Sequence, residues 1–247
     1  MQKAFVLLSG GIDSTVCLHL ARTQFAEVEG VSLDYGQRHS KEIQFAKANC
    51  TRLGFKHTTL TLPGIIPRTM LTDPTAEVPN ISYAEIEGVS PTYVPYRNGL
   101  LLSATTSFVA GQRIEAEKLQ RPKLPEWGIY FGAHAEDAQN WAYPDCTPEW
   151  IGSQANAIYI GTYRTIRLHT PLEWLSKAQI IRLGEELEVD WRLTWSCYRG
   201  DERHCGFCPT CRARRAAFVQ TGVDDPTEYA DPSEYAGEEP NERAQRA

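Results

Sequence analysis

The sequence lacks the features of a membrane or exported protein. Its 247 residues contain no apolar run that approaches the roughly 18 residues of a membrane span. The N-terminus enters strand-like residues without a basic start or a cleavage site, so we expect no signal peptide and a cytoplasmic location. A basic surplus is also missing, because 25 lysines and arginines stand against 31 acidic residues. We therefore expect no membrane partner and no direct nucleic-acid partner.

The net charge of −6 comes entirely from the C-terminal end. Residues 222–247 hold eight acidic residues and two arginines, which leaves residues 1–221 formally neutral. This end also contains three prolines and little apolar content, so we predict an acidic, disordered tail at 222–247. The rest is long enough for one sizeable core. We assign residues 1–194 to a catalytic domain and residues 195–221 to a metal-binding segment packed on it.

The two commonest phosphate-binding patterns are absent, since neither GxxxxGK[ST] nor GxGxxG occurs. Instead, SGGIDS at 9–14 directly follows the apolar run AFVLL at 4–8. The apolar run predicts a buried strand, and the two glycines allow a tight turn into a helix. The free N–H groups at the start of that helix form an anion site. An ordinary strand-to-helix turn is the alternative, because Gly-Gly and Ser are common turn residues.

Strands and helices alternate along the chain. Residues 28–33 predict a second strand, Ser40 begins a helix to about Leu53, and residues 57–62 predict a third strand. The proline-rich stretch 63–96 predicts a long loop. Strands are also expected at 127–133 and 163–169, and further helices begin near residues 100, 147 and 176. The alternation predicts an α/β fold with a doubly wound, mostly parallel sheet, which binds ligands at the carboxyl ends of its strands.

A disulfide scaffold is not favoured, because the seven cysteines are an odd number and four of them crowd between positions 197 and 211. These four are Cys197, Cys205, Cys208 and Cys211. Thiolates at C-x-x-C spacing suit tetrahedral Zn²⁺, and four protein ligands make the site structural. We expect His204 to be a neighbour and not a ligand. An iron–sulfur cluster, unligated thiols and a nucleic-acid-binding zinc ribbon are the alternatives.

SGGIDS resembles the loop of the PP-loop ATP pyrophosphatases, which split ATP into AMP and pyrophosphate. Further motifs narrow the resemblance: DYGQRH at 34–39, VPYRN at 94–98, YPDC at 143–146, LSK at 175–177, and WSC at 195–197 with the three later cysteines. In this order, over residues 4 to about 219, they resemble the 7-cyano-7-deazaguanine synthase family. The stretch 132–137 departs from the family's pattern.

The resemblance implies an adenine nucleotide alpha hydrolase-like fold with a small C-terminal zinc module of four cysteines. It also implies a ligase that forms a C–N bond in queuosine biosynthesis. Such an enzyme converts 7-carboxy-7-deazaguanine and ammonium to 7-cyano-7-deazaguanine (preQ0) through adenylated and amide intermediates. The implied cofactors are ATP, Mg²⁺ and structural Zn²⁺, and the implied assembly is a homodimer. With no N-terminal cysteine nucleophile and no room for a glutaminase, we expect free ammonium or ammonia from another protein.

The resemblance also assigns site residues. ATP binding falls to Leu8, Ser9, Gly10, Gly11, Ile12, Asp13, Ser14, Thr15, Val16, Cys17 and Leu18. Substrate binding falls to Gln37, Arg38, His39, Asn98, Tyr143, Asp145 and Cys146. The catalytic residues are Asp13, Lys177 and Arg97.

Within these assignments, Asp13 would help to place Mg²⁺, and Lys177 would neutralise the departing pyrophosphate. Asp145 would accept hydrogen bonds from the amino and ring N–H groups of the base. Surface positions are the alternative for Lys177 and Arg97. A nucleophilic Cys146 is weighed against a small buried thiol, which is expected.

Three other functions stay open at this point. One is a PP-loop tRNA-modifying enzyme of the sulfur transferase or lysidine synthetase type. Another is a relative that stops at the amide for DNA modification. The third is a non-catalytic nucleotide-binding or zinc-ribbon adaptor. The intact SGGIDS and YPDC motifs favour an active enzyme.

Overall fold

The computed structural model describes residues 2–38, 41–62, 64–66, 68–73, 75–81, 85–86, 88–119, 124–134, 136–199 and 202–230. A five-stranded sheet lies at its centre. The strands are β1 (Lys3–Leu7), β2 (Glu27–Asp34), β3 (Lys56–Thr61), β4 (Trp127–Tyr130) and β5 (Ile166–His169). They pair in the order β3-β2-β1-β4-β5, and every pair is parallel. The chain thus winds outward from β1 in both directions, which confirms the predicted doubly wound sheet.

In the described part of the chain, six α-helices cover the two faces of the sheet. They are α1 (Ile12–Gln24), α2 (Lys41–Leu53), α3 (Arg97–Leu119), α4 (Pro148–Gly161), α5 (Lys177–Glu186) and α6 (Pro209–Thr221). Their ends follow local chemistry. Thr147 accepts a hydrogen bond from Trp150 N at the start of α4, and Ser176 forms a capping box with Gln179 at the start of α5. Both helix starts lie where the sequence predicts them, near residues 147 and 176.

The central strand β1 explains why its sequence is apolar throughout. Successive side chains in a strand point to opposite faces, so both faces of a covered sheet need apolar residues. Ala4 and Val6 pack into a core with residues of α1, α2, α5 and α6, whereas Phe5 and Leu7 pack into a core with residues of α3 and α4. Helices on both faces therefore bury β1 completely.

Two predicted boundaries are wrong. Tyr163 and Arg164 were expected in the fifth strand, but they have φ values of 55° and 60°, which a strand does not adopt. Strand β5 therefore begins at Ile166. The fourth strand ends at Tyr130 and not at Ala133.

The beginning of the acidic segment also differs from the prediction. Gly222 ends α6 with φ +72°, and the chain then packs back onto the cysteine segment. Asp225 lies 3.0 Å from the buried guanidinium of Arg214, and Ala230 N donates to His204 O at 2.8 Å. Disorder was the wrong prediction for residues 222–230, because Asp225 neutralises Arg214. The division into domains stays a prediction.

Candidate active site

The SGGIDS loop joins β1 to α1 and leaves the start of α1 open. Gly10 has φ +81°, and a Cβ there would collide with the carbonyl oxygen of Glu42, so only glycine fits. Gly11 occupies the N-cap position without a capping side chain. The hydroxyls of Ser9 and Ser14 lie 3.0 Å apart beside the helix start. The loop thus presents backbone N–H groups and two hydroxyls to an anion.

A cavity of about 230 Å³ lies over this loop. Its walls come from the SGGIDS loop, the end of β2, the starts of α2, α3 and α5, the segment after β4, and the cysteine segment. It lies at the carboxyl ends of β1, β2 and β4, and the winding of the sheet reverses between β1 and β4. This is the position at which open α/β sheets bind ligands.

The cavity wall includes only part of the predicted ATP-binding stretch. Leu8, Ser9, Gly11, Ile12, Asp13 and Ser14 line it. Thr15, Val16, Cys17 and Leu18 are fully buried and do not line it. Val16, Cys17 and Leu18 belong to the hydrophobic core, because α1 turns these positions toward the sheet. Burial raises the pKa of the Cys17 thiol far above its ordinary value.

Lys177 and Asp13 form an ion pair in the cavity wall. The Lys177 ammonium lies 2.7 Å from both Asp13 carboxylate oxygens. Lys177 is the first residue of α5, and its backbone N donates to Glu136 Oε1 at 3.0 Å. Burial works against both charges, yet their attraction lowers the pKa of Asp13 and raises the pKa of Lys177. A solvated surface position for Lys177 is therefore excluded.

His134 and Asp137 extend this pair, and neither was predicted as a site residue. His134 is 2% exposed, and its Nδ1 accepts a hydrogen bond from Glu136 N at 3.3 Å. The other ring nitrogen, Nε2, lies 3.3 Å from Asp137 Oδ2 and 4.0 Å from Asp13 Oδ2. The sequence feature that could have identified both as site residues is their position after β4, in the stretch 132–137. This stretch departs from the family's pattern.

Arg97 forms a second charged group in the cavity wall. It begins α3, and its guanidinium interacts electrostatically with Tyr35 after β2 and with Glu42 in the first turn of α2. All three line the cavity. Burial opposes the charge on Arg97, but Tyr35, Tyr198 and Glu42 together keep its pKa above the ordinary value. Arg97 is thus part of the cavity, and the surface alternative is excluded.

The YPDC motif is divided between the cavity wall and the structure behind it. Tyr143 and Cys146 line the cavity, as Asn98 does, but Asp145 does not. Asp145 Oδ2 accepts Asn98 N at 3.0 Å and so satisfies a backbone N–H in the first turn of α3. The expectation that Asp145 lines the pocket is wrong, because its carboxylate holds the start of this helix. Burial raises the pKa of Cys146 well above its usual range, which disfavours a nucleophilic thiolate.

The DYGQRH residues also have mixed positions. Gln37 lines the cavity, but both ends of its side-chain amide are hydrogen-bonded to the backbone. Tyr35 N donates to Gln37 Oε1 at 2.9 Å, and Gln37 Nε2 donates to Leu33 O at 3.0 Å. Arg38 lies outside the cavity wall and donates to Ala76 O, so it fixes the following loop. His39 lies outside the described residues.

The four predicted metal-binding cysteines form a compact buried cluster. The Sγ atoms of Cys197, Cys205, Cys208 and Cys211 all lie within 4.8 Å of one another. A tetrahedral Zn²⁺ with Zn–S bonds of about 2.3 Å requires sulfur atoms close to about 4 Å apart, so the set fits such an ion. His204 is a neighbour, as expected, because its Nε2 accepts Ser196 N at 3.0 Å. The cluster therefore has the arrangement of a metal site with four sulfur ligands.

The cysteine cluster is connected directly to the loop. Trp195 N donates to Gly10 O at 2.8 Å. Trp195, Ser196 and Tyr198 form one wall of the cavity. The cysteine cluster therefore lies on a segment that shapes the candidate active site.

The parallel sheet, the SGGxDS loop and the cavity at the sheet's switch point together define a PP-loop α/β protein. The profile of the family described as "Queuosine biosynthesis protein QueC" matches residues 3–222. The chain therefore belongs to the QueC family.

Several relatives in this family are named 7-cyano-7-deazaguanine synthase. One from Caldicellulosiruptor bescii is 38% identical over 229 residues, which cover 92% of this chain and 97% of the relative. Another from Methanoculleus marisnigri is 39% identical over 236 residues, which cover 93% and 99%. Among solved structures, the U34-tRNA thiolase NcsA from Methanococcus maripaludis with its [4Fe-4S] cluster is 15% identical, with a TM-score of 0.43 over 97% of this chain and 78% of that one. Within the described part of the chain, no helix is long and apolar enough to cross a membrane.

Proposed function

We propose that the protein is an ATP-dependent ligase that converts 7-carboxy-7-deazaguanine and ammonia to 7-cyano-7-deazaguanine in queuosine biosynthesis. The observation that carries this conclusion is the match to the QueC family over residues 3–222. The residues that build the cavity, from the SGGIDS loop to the cysteine segment, all fall within this range.

The reaction explains why such a site needs a polyphosphate loop. A carboxylate is a poor electrophile, so its oxygen first attacks the α-phosphorus of ATP, and pyrophosphate leaves. Ammonia then attacks the acyl carbon, AMP leaves, and an amide forms. The amide oxygen attacks a second ATP in the same way, and loss of AMP and a proton gives the nitrile. Two AMP and two pyrophosphate therefore accompany each nitrile.

The loop and the ion pair suit the phosphate side of this chemistry. The open start of α1 and the hydroxyls of Ser9 and Ser14 would hold the polyphosphate. Lys177 would offset the charge that develops on pyrophosphate, and Asp13 would keep its ammonium in position. Arg97 is a second cation in the cavity wall, available to an oxygen of the substrate. Asp13 and Asp137 are the carboxylates that would hold Mg²⁺, which screens phosphate charge when it is bound.

Other parts of the proposal concern the metal, the substrate side and the assembly. The four cysteines would hold a structural Zn²⁺. Gln37, Asn98, Tyr143 and Cys146 would form the substrate side of the cavity, with His39 nearby in the sequence. Cysteines kept as thiols for a metal suit a reducing compartment, so we propose a cytoplasmic location. A homodimer is proposed from the family resemblance alone.

The direct test is to incubate the purified protein with 7-carboxy-7-deazaguanine, ammonium, Mg²⁺ and ATP, and to follow the products by mass spectrometry. We expect the nitrile, together with two AMP per nitrile. A reaction without ATP is the control and should return the acid unchanged. Amide that accumulates without nitrile would show that the chemistry stops half-way. Absence of AMP release would exclude the synthase.

A further inference from the structure

Among the residues that the structure describes, three carboxylates lie in the cavity wall, and two of them already have partners. Both oxygens of Asp13 contact Lys177, and Asp137 lies 3.3 Å from the buried ring of His134. The third is Glu42. Among the described residues, no hydrogen bond reaches its carboxyl group, and the only charge that acts on it is Arg97. Glu42 is therefore an acceptor that faces the cavity without a donor.

Glu42 is held firmly in this position. It lies in the first turn of α2, whose backbone packs so closely against the SGGIDS loop that Gly10 has no room for a Cβ. The charged neighbour that acts on it is Arg97, which also interacts with Tyr35. Burial outweighs the attraction of Arg97 and raises the pKa of Glu42 to about 7. N–H donors from a ligand would stabilise the ionised form of this carboxyl, which burial disfavours.

A 7-deazaguanine ring presents a matching edge. Its six-membered ring offers the O6 acceptor, the N1–H donor and the 2-amino donor in a row. A carboxylate has two acceptor oxygens for two neighbouring donors, and a guanidinium is a donor for a carbonyl oxygen. The corresponding edge of adenine places its amino donor next to an acceptor nitrogen, so it satisfies only one carboxylate oxygen. The pair Glu42 and Arg97 is thus complementary to the guanine-like substrate and not to ATP.

We propose that Glu42 is the specificity-determining residue for the base, accepting hydrogen bonds from N1–H and the 2-amino group, while Arg97 faces O6. This inference rests on the proposed function and names the base-recognition residue of that site. It takes over the role predicted for Asp145, which does not line the cavity and whose carboxylate instead accepts Asn98 N at the start of α3.

The test compares Glu42→Gln with the unmodified protein by calorimetric titration. The two ligands are preQ0 and its analogue without the 2-amino group. Gln keeps the size of the side chain but replaces one acceptor by an amide donor that opposes N1–H or the 2-amino group. A hydrogen bond to a charged acceptor is worth about 1.5–3 kcal/mol, so we expect the substitution to weaken preQ0 binding by roughly 10- to 100-fold. The unmodified protein should prefer preQ0 over the analogue by a similar factor, and Glu42→Gln should lose most of this preference.

Two controls separate recognition from folding and from nucleotide binding. Glu149→Gln removes an exposed first-turn acid from α4, away from the cavity, and should bind both ligands like the unmodified protein. Affinity of Glu42→Gln for a non-hydrolysable ATP analogue should stay unchanged. Glu42→Asp, which keeps the carboxylate, should retain part of the preference for the 2-amino group.

Three results would overturn the inference. One is an unchanged affinity and preference in Glu42→Gln. Another is a loss of affinity for the ATP analogue instead of preQ0. The third is a lower kcat with unchanged binding of both base ligands, which would indicate proton transfer. If the unmodified protein neither binds preQ0 nor releases AMP with the acid, the proposed function fails first and this inference falls with it.

Discussion

The Lys177 ammonium contacts both carboxylate oxygens of Asp13 at 2.7 Å, although 164 positions separate the two residues in the chain. The side chains are only 13% and 23% exposed. The contact joins the start of α5 to the first turn of α1 in the cavity wall. It fixes an acidic and a basic group beside the SGGIDS loop in the cavity wall.

Lys177→Met should abolish AMP release and destabilise the fold, because Asp13 then stays largely buried without its counter-charge. Removing one partner of a buried pair costs about 3 kcal/mol. Urea unfolding and AMP release are the measurements. Adding Asp13→Asn to this variant should restore part of the stability but no activity.

The matched control for this prediction is Lys118→Met. Lys118 pairs with Glu115 at 2.7 Å, but both side chains are about two-thirds exposed, at 65% and 68%. Exposed pairs contribute less than about 1 kcal/mol, so stability and activity should be nearly unchanged. Equal losses in Lys177→Met and Lys118→Met would contradict the importance of the buried pair.

The cysteine cluster should bind one zinc ion per chain through four sulfur atoms. Cys208→Ser should lower the zinc content and the thermal unfolding midpoint, since structural zinc contributes directly to folding. Activity should fall as well, because the cysteine segment holds the cavity wall and donates to Gly10 O. Elemental analysis and X-ray absorption are the measurements. Cys50→Ala, in the core of α2, should keep its zinc. Iron with labile sulfide would refute this prediction.

Asp145→Ala should reduce stability more than it reduces base affinity. The carboxylate satisfies Asn98 N in the first turn of α3, and loss of a helix cap costs about 1 kcal/mol. Chemical unfolding and titration with preQ0 measure the two effects. Thr147→Ala, which removes the cap of α4, is the comparison and should cost a similar amount. Normal stability with lost base binding would return Asp145 to the role predicted from the sequence.

Glu42 should make stability depend on pH. Burial raises its pKa from the ordinary 4.5 to about 7 in the folded protein. Below pH 4.5 both states hold the proton; between these values the unfolded chain releases it first, so stability falls as the pH rises to about 7. Relative to Glu42→Gln, which does not titrate, the unmodified protein should lose about 1–2 kcal/mol between pH 4.5 and 8 after allowance for solvent screening. Urea unfolding across this range measures the difference. A constant difference would contradict the prediction.

Much of the site was predictable because it consists of short motifs next to strongly apolar strands. The position of SGGIDS after β1 followed from local pattern alone, as did the parallel sheet and the cysteine cluster. Lys177 and Arg97 were assigned by resemblance, and the alternative of a surface position fails only when their partners across the cavity are known.

The sequence by itself determined the order of strands and helices, the loop at the start of α1 and the thiols of the metal site. These features depend on neighbours within a few residues, such as glycines, caps and alternating apolar side chains. Only the tertiary structure decided which charges meet. Asp145 and Glu42 are both acids close to predicted helix starts. Asp145 does not line the cavity and accepts Asn98 N at the start of α3, whereas Glu42 faces the cavity. That difference arises from the packing of α2 and α3 on opposite faces of the sheet, which no local pattern encodes.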